Sequence, residues 1–118
     1  MIFKKKFTLE QRSAESKKII TKYPSKIPII IEASKSCTLN PISKNKFLVP
    51  EDLTLGQFLN IVRKRIELDS KDALFVFIND KTLPATSANI NQLYNDHKDE
   101  DGFLYMTYCN ENTFGDRK

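Results

Sequence analysis

An α+β domain built around a four-stranded sheet is predicted by three observations. Two helix starts carry reciprocal capping signals, Thr8-Leu9-Glu10-Gln11 and Thr54-Leu55-Gly56-Gln57. Four short segments rich in β-branched and aromatic residues follow the first signal and flank the second. The chain has 118 residues, 40% apolar and 29% charged, which is the size of one compact domain burying roughly two thirds of its unfolded surface. A two-domain enzyme does not fit that length.

In chain order, Phe3 and Phe7 stand at i and i+4 and predict a short helical turn. The Thr8 capping box then opens a helix running to Tyr23-Pro24, about four turns without an internal Gly or Pro. Its apolar content is thin (Leu9, Ala14, Ile19, Ile20, Tyr23), which predicts an accessory layer laid on a body. Ile27-Pro28-Ile29-Ile30-Ile31-Glu32 reads as the first strand, with Pro28 at an edge or a strand start because it cannot donate to a ladder. Residues 33–45 hold few apolar groups and read as a loop. Lys46-Phe47-Leu48-Val49-Pro50 is a second strand, pairing antiparallel with the first.

The Thr54 box, with Leu53 and Phe58 placed as a hydrophobic staple, predicts a helix from 55 to about 68. Leu55, Phe58, Leu59, Val62 and Ile66 form its core stripe, and Ile61 lies outside that stripe, which points to a second apolar surface. Ala73-Leu74-Phe75-Val76-Phe77-Ile78 is a continuous apolar run, as expected of a buried central strand. Asn79-Asp80-Lys81 supplies a turn, and Thr86-Ser87 is expected to cap a short helix carrying Ile90, Leu93 and Tyr94. The last strand is 103–108. One long helix crossing a four-stranded mixed sheet is the β-grasp layout, as in ubiquitin, here with two extra amino-terminal helices. The expected organisation is a helical extension over 1–24, the β-grasp domain over 25–109 and a flexible tail over 110–118.

Charge is unevenly spread. Residues 1–26 carry eight basic groups against Glu10 and Glu15, whereas the remaining 92 residues sum to −2 of the overall +4. A basic arm beside a near-neutral body suits an anionic surface, or is simply a solvated helix face. The longest apolar run is six residues, far short of the roughly 20 of a membrane-spanning helix. The amino terminus lacks the layout of a secretory signal, so the expected location is the cytosol. Cys37 and Cys109 fall in no C-x-x-C pattern and read as free thiols in a reducing compartment.

The supply of reactive groups is poor. His97 is the sole histidine, so triads and zinc sites lack material, and no catalytic or metal-binding residues are expected. Gly56, Gly102 and Gly115 are isolated, which excludes glycine-loop nucleotide binding. The acidic knot around Asp99 lacks the spacing of an EF-hand loop. A basic nucleic-acid binder is the lesser reading, since no aromatic residues interleave with Arg63-Lys64-Arg65 and no nucleic-acid partner is expected.

Lys22-Tyr23-Pro24 with Pro28, the run from Phe47 to Phe58, Arg63-Lys64-Arg65-Ile66, the run from Asp72 to Asn79, Gln92-Leu93-Tyr94 and the run from Asp99 to Met106 occur in one order and nearly without gaps. Together these motifs closely resemble the ubiquitin-like modifiers of autophagy, whose animal members include the GABA-receptor-associated protein and the microtubule-associated-protein light chains. The resemblance runs from about Phe3 to Gly115. It implies a non-enzymatic modifier, cut after Gly115 by a processing cysteine protease. Activating and conjugating enzymes would then join it to phosphatidylethanolamine, with no other cofactor. Phe114 would anchor the tail, and Asp116-Arg117-Lys118 would be discarded. Glycine leaves its carbonyl open to a nucleophile, and seven extended residues reach roughly 23 Å into a partner's active site.

The resemblance also implies capture of aromatic-x-x-aliphatic motifs from cargo receptors and adaptors by strand addition at the edge 46–50. It carries an aromatic pocket onto Glu15, Ile19, Pro28, Ile30, Lys46, Leu48 and Phe103. An aliphatic pocket falls on Phe47, Val49, Pro50, Leu53, Phe58 and Ile61. Lys26, Lys44, Lys46 and Arg63 would meet acidic residues flanking a motif. The basic amino-terminal segment would contact membrane or microtubules, and the protein would move from cytoplasm to the autophagosome membrane on lipidation. An unconjugated cytosolic motif-binding adaptor is the alternative.

Overall fold

The computed structural model describes residues 1–111, so Phe114 and Gly115 lie outside the described residues. These form α1 (Ile2–Lys6), α2 (Leu9–Lys22), β1 (Lys26–Ala33), β2 (Lys46–Pro50), α3 (Leu55–Arg65), β3 (Phe75–Ile78), α4 (Ile90–His97) and β4 (Leu104–Cys109). The sheet order is β2-β1-β4-β3. β1 and β4 run parallel at the centre, from Ile29 opposite Leu104 to Ala33 opposite Tyr108, and each has an antiparallel partner outside it. This is the expected ubiquitin-like mixed sheet with helices added at the amino terminus.

Local signals formed as read. Thr8 and Thr54 each accept from the amide three residues on, and the Gln11 and Gln57 side chains reach back to the cap amides at 2.9 Å. Pro28 stands in a central strand but causes no loss. Pairing with β4 begins only at Ile29, and the Ile31 amide donating to Asn45 puts the odd-numbered residues of β1 in the hydrogen-bonded pairs with β2.

Three expectations are corrected. α3 ends at Arg65 and not near 68, because Glu67 takes a left-handed φ of 57° and the Leu68 amide returns to the Arg63 carbonyl at 2.9 Å, a Schellman closure. The cap of α4 is Asn89, whose Oδ1 accepts from Asn91 and Gln92, and not Thr86-Ser87. The apolar run at 73–78 is an edge strand, not a central one, and it shortens to Phe75–Ile78. Two layers cover the sheet, so hydrophobicity does not distinguish an edge strand from a central one.

The main core lies between one face of the sheet and α3 with α4. It contains Ile27, Ile29 and Ile31 of β1, Leu104, Met106 and Tyr108 of β4, and Leu55, Phe58, Leu59 and Val62 of α3. A smaller core on the opposite face joins Phe3, Ile30, Phe103 and Tyr105, with Phe7 and Ile19 packed against it. Phe3 meets Phe103 edge-on at 5.3 Å between ring centres. The first amides of α1, at Ile2 and Phe3, donate to the two oxygens of the buried Glu32 carboxylate.

The amino-terminal layer is pinned by Asp101, whose side chain has no exposed surface. Its Oδ2 accepts from Arg12 Nη1 and Tyr105 Oη, each at 2.5 Å, and its Oδ1 accepts from the Phe103 amide at 2.8 Å. Ser16 Oγ donates to the Asp101 carbonyl. Burial disfavours charge on Arg12, but its bonds to Tyr105 and Asp101 override that and raise its pKa. Burial and the bond to Asp101 also push the Tyr105 phenol well above its ordinary range. Gly102 beside it has φ 92°, and a Cβ there would stand 2.4 Å from Ser16 Oγ, so α2 approaches this turn only over a glycine.

Asp101→Ala removes the close partner of the half-buried Arg12 guanidinium, leaving it Asp99 at 3.9 Å and the Phe7 carbonyl. It also strips the Tyr105 hydroxyl and the Phe103 amide of their acceptor, so urea unfolding should show a loss of about 2 kcal/mol. A loss under about 1 kcal/mol would mean that water replaces the carboxylate without cost. A second outcome concerns acid. Burial pushes the Asp99 carboxyl up, but the hydrogen bonds from Lys4 and the Asp101 amide, with the charges of Lys4 and Arg12, hold it below its ordinary value of 3.8. A lowered pKa contributes stability that is present above the ordinary value and lost as pH falls through the folded value. Protection factors of the α1 amides, which take out the intrinsic slowing of exchange in acid, should therefore fall below about pH 4. Asp99→Asn should weaken that protection at neutral pH and reduce its dependence on acid.

Candidate peptide-docking groove

β2 ends the sheet on one side, so one of its backbone edges has no neighbouring strand in that sheet. Because Phe47 and Val49 are the residues hydrogen-bonded toward β1, the backbone groups of Lys46 and Leu48 point to the open edge. Pro50 closes that edge, since it has no N–H to offer.

Side chains alternate along β2, which divides the expected site residues between the two faces of the sheet. Lys46 and Leu48 share the face toward α2 with Pro28 and Ile30, their register partners on β1. There Ile19 of α2, Ile30 and Phe103 belong to one apolar cluster. Lys46 Nζ forms an ion pair with Glu15 Oε2 of α2, so helix and strand edge are bridged above that cluster. Leu48 is 40% exposed, a large apolar side chain on an open edge. The structure thus brings all seven residues of the expected aromatic pocket to one face, between α2 and the edge.

Phe47 and Val49 project to the other face, where Phe47 packs edge-on against Phe58 at 5.4 Å between ring centres. Val49 and Phe58 are buried, Leu53 and Pro50 are half-buried, and Ile61, one turn beyond Phe58 on α3, is 37% exposed. Phe47, Val49, Leu53 and Phe58 of the expected aliphatic pocket therefore lie together between α3 and β2, Ile61 stands one turn beyond Phe58, and Pro50, in phase with Lys46 and Leu48, falls instead on the face toward α2. Ile61 and Leu53 stand nearest solvent, and Val49 and Phe58 sit deep as core.

The expected motif-facing cations are not one cluster. Lys26 is half-buried opposite Pro50, and Lys44 is exposed two residues ahead of β2. Arg63 turns away from the groove, donating to the carbonyls of Asp69 at 3.4 Å and Asp72 at 2.8 Å. The cation on this side is instead Arg65, whose guanidinium lies over the Phe47 ring at 5.0 Å. Its position four residues after Ile61 on the same helix face was the available signal, obscured by two adjacent basic residues.

Among the described residues no group of three or more His, Cys, Asp or Glu side chains could hold a metal, and no helix is long and apolar enough to cross a membrane. A family model described as autophagy protein Atg8, ubiquitin-like, matches residues 11–115. Autophagy-related protein 8 of Kluyveromyces lactis is 50% identical over 114 residues, covering 97% of this chain and 91% of that protein. Autophagy-related protein 8b of Arabidopsis thaliana is 53% identical over 113 residues, covering 96% and 92%. The crystal structure of Trypanosoma brucei ATG8 matches this fold with a TM-score of 0.89 and 42% identity over 96% of this chain and 97% of that one. With its β-grasp sheet, added amino-terminal helices and similarity along nearly the whole length, the chain belongs to the Atg8 family and is a ubiquitin-like modifier of autophagy.

Proposed function

We propose that this modifier is cut after Gly115, conjugated through that glycine to phosphatidylethanolamine, and used on the membrane to collect proteins bearing aromatic-x-x-aliphatic motifs. It acts as a tag and scaffold and not as a catalyst. A cysteine protease and activating and conjugating enzymes handle the tail, and cargo receptors and adaptors occupy the groove. The protein moves from cytoplasm to autophagosome membrane as the lipid is attached. Its basic amino-terminal lysines contribute about 1 kcal/mol each near an anionic leaflet, an aid to a lipid anchor and not a substitute for one.

One observation supports the motif reading above the others: Lys46 and Leu48 lie on one face of an open strand edge and Phe47 and Val49 on the other. In a peptide added as a fifth strand, side chains alternate, so residues three apart project to opposite faces. An aromatic at the first position meets the face of Ile19, Ile30 and Leu48. The aliphatic residue three positions on meets the face of Leu53 and Ile61. The spacing of the motif is thus one that the edge accommodates. Acidic residues beside the motif compete with Glu15 for Lys46, so they add salt-dependent association more than final affinity.

Leu48→Arg should weaken binding of a synthetic aromatic-x-x-aliphatic peptide at least about tenfold by calorimetry, and Ile61→Arg should do the same through the other face. Unchanged affinity in both variants rules out this groove. For the tail, intact mass from cell fractions should show a cytosolic species ending at Gly115 and a membrane species heavier by one phosphatidylethanolamine. Gly115→Ala should abolish the second while leaving peptide binding intact. Membrane recovery unaffected by that change would leave the unconjugated adaptor as the correct account.

A further inference from the structure

Cys37 and Cys109 are 72 positions apart in the chain, yet the fold brings the segment carrying Cys37 against the end of β4 that carries Cys109. Cys109 is the last residue of β4 and is buried, and Cys37 is half-buried in the connection between β1 and β2. The residues on either side of Cys37 dock on this strand end. Ser36 Oγ lies 3.9 Å from Cys109 Sγ, and Thr38 Oγ1 accepts from Asn110 Nδ2 at 2.8 Å. The Cys37 amide donates to the Ser34 carbonyl in a turn, and Ser34 in turn hangs from the Tyr108 carbonyl. Tyr108 Oη donates to the Asn40 carbonyl at 2.6 Å, so the connection is held to β4 on both sides of Cys37.

We propose that Cys37 and Cys109 form a reversible intrachain disulfide that staples the β1–β2 connection to the carboxyl-terminal end of β4. Cys37, the more accessible thiol, is where an oxidant arrives, and Cys109 is the resolving group behind it. Burial opposes a thiolate at Cys109, but the hydroxyls of Ser34 and Ser36 and the amides of Asn110 and Glu111 override it and bring its pKa below the ordinary value. Burial, with the neighbouring Cys109, pushes the Cys37 thiol up. The irregular backbone at Cys37 allows the small shifts that disulfide geometry requires.

The oxidant is a low-molecular-weight disulfide, with glutathione disulfide as the probe. The Cys37 thiolate attacks one of its sulfurs, a bond forms between Cys37 and that sulfur, the glutathione S–S bond breaks, and one glutathione leaves and takes up a proton. The Cys109 thiolate then attacks the Cys37 sulfur and expels the second glutathione, which also takes up a proton. Two protein thiols lose two electrons and two protons, and one glutathione disulfide becomes two glutathiones. In a reducing compartment such a bond is transient and redox-sensing in character.

The test uses the full chain, incubated with glutathione disulfide, denatured in iodoacetamide and examined by intact mass and peptide mapping. The expected product is two hydrogen atoms lighter than the reduced protein, unalkylated at both cysteines, with the peptides of Cys37 and Cys109 joined, and restored by dithiothreitol. Cys37→Ser should give no lighter species. Cys109→Ser should trap a glutathione adduct on Cys37. If Cys109→Ser does not fold, the linked peptides and Cys37→Ser decide the matter. A glutathione adduct persisting on Cys37 in the unmutated chain, a disulfide-linked dimer, or two thiols that remain alkylatable would each overturn the proposal.

Discussion

Everything on the α2 side of the sheet depends on one buried carboxylate. The main core closes on α3 and α4 without help, but α2 buries only Ser16 among its own residues and cannot hold itself down by hydrophobic area. Asp101 supplies what is missing. It binds Arg12 of α2, Tyr105 of β4 and the amide of Phe103 at once, while its own carbonyl takes Ser16. A buried ion pair of this kind gains little over an apolar replacement in net stability. What it contributes is placement, because Asp101 Oδ2 is fixed by Tyr105 and its Oδ1 by the Phe103 amide, and Arg12 Nη1 meets it in that one position while Arg12 Nε holds the Phe7 carbonyl. Glu15 and Ile19 are one and two turns along from Arg12, so the wall they form beside β2 inherits its position from that contact.

The groove follows from this economy. Its α2 face is built from an accessory layer held by polar contacts, and its α3 face is part of the core. The two halves therefore have different stiffness. Phe47 and Phe58 are locked edge to face, whereas Leu48, Lys46 and Glu15 stand on an edge with long exposed side chains. In the proposed strand addition, a guest aromatic would meet the adaptable half and a guest aliphatic residue the rigid one.

What was legible in the sequence was local or periodic. Thr8 and Thr54 announced their helices because a capping box is complete within four residues, and the off-stripe Ile61 announced a second apolar surface by its angle on the helix. The end of α3 was not legible, since nothing in Glu67 itself marks a left-handed residue; the closure onto Arg63 is a property of the chain beyond it. Edge or centre was not legible for 73–78 either, because β3 is buried over Val76–Ile78 although it ends the sheet. Least legible were contacts set by topology alone. Arg12 and Asp101 are 89 residues apart, and Arg63, placed in the groove by family likeness, is drawn instead to the turn at 69–72. The pocket residues were reached through resemblance and not through pattern. The geometric reason for their grouping, alternation along an open strand, emerges only once β2 is known to be terminal.

The parallel pairing of β1 with β4 also fixes how the molecule carries mechanical load. A pull applied at the start of β1 and at the end of β4 acts along two strands that point the same way, so it shears the whole ladder from Ile29–Leu104 to Ala33–Tyr108 together. No hydrogen bond at one end can open first, as it could if a hairpin were peeled. A body tethered by its carboxyl end and loaded through its amino-terminal layer is thus strained in its most resistant direction.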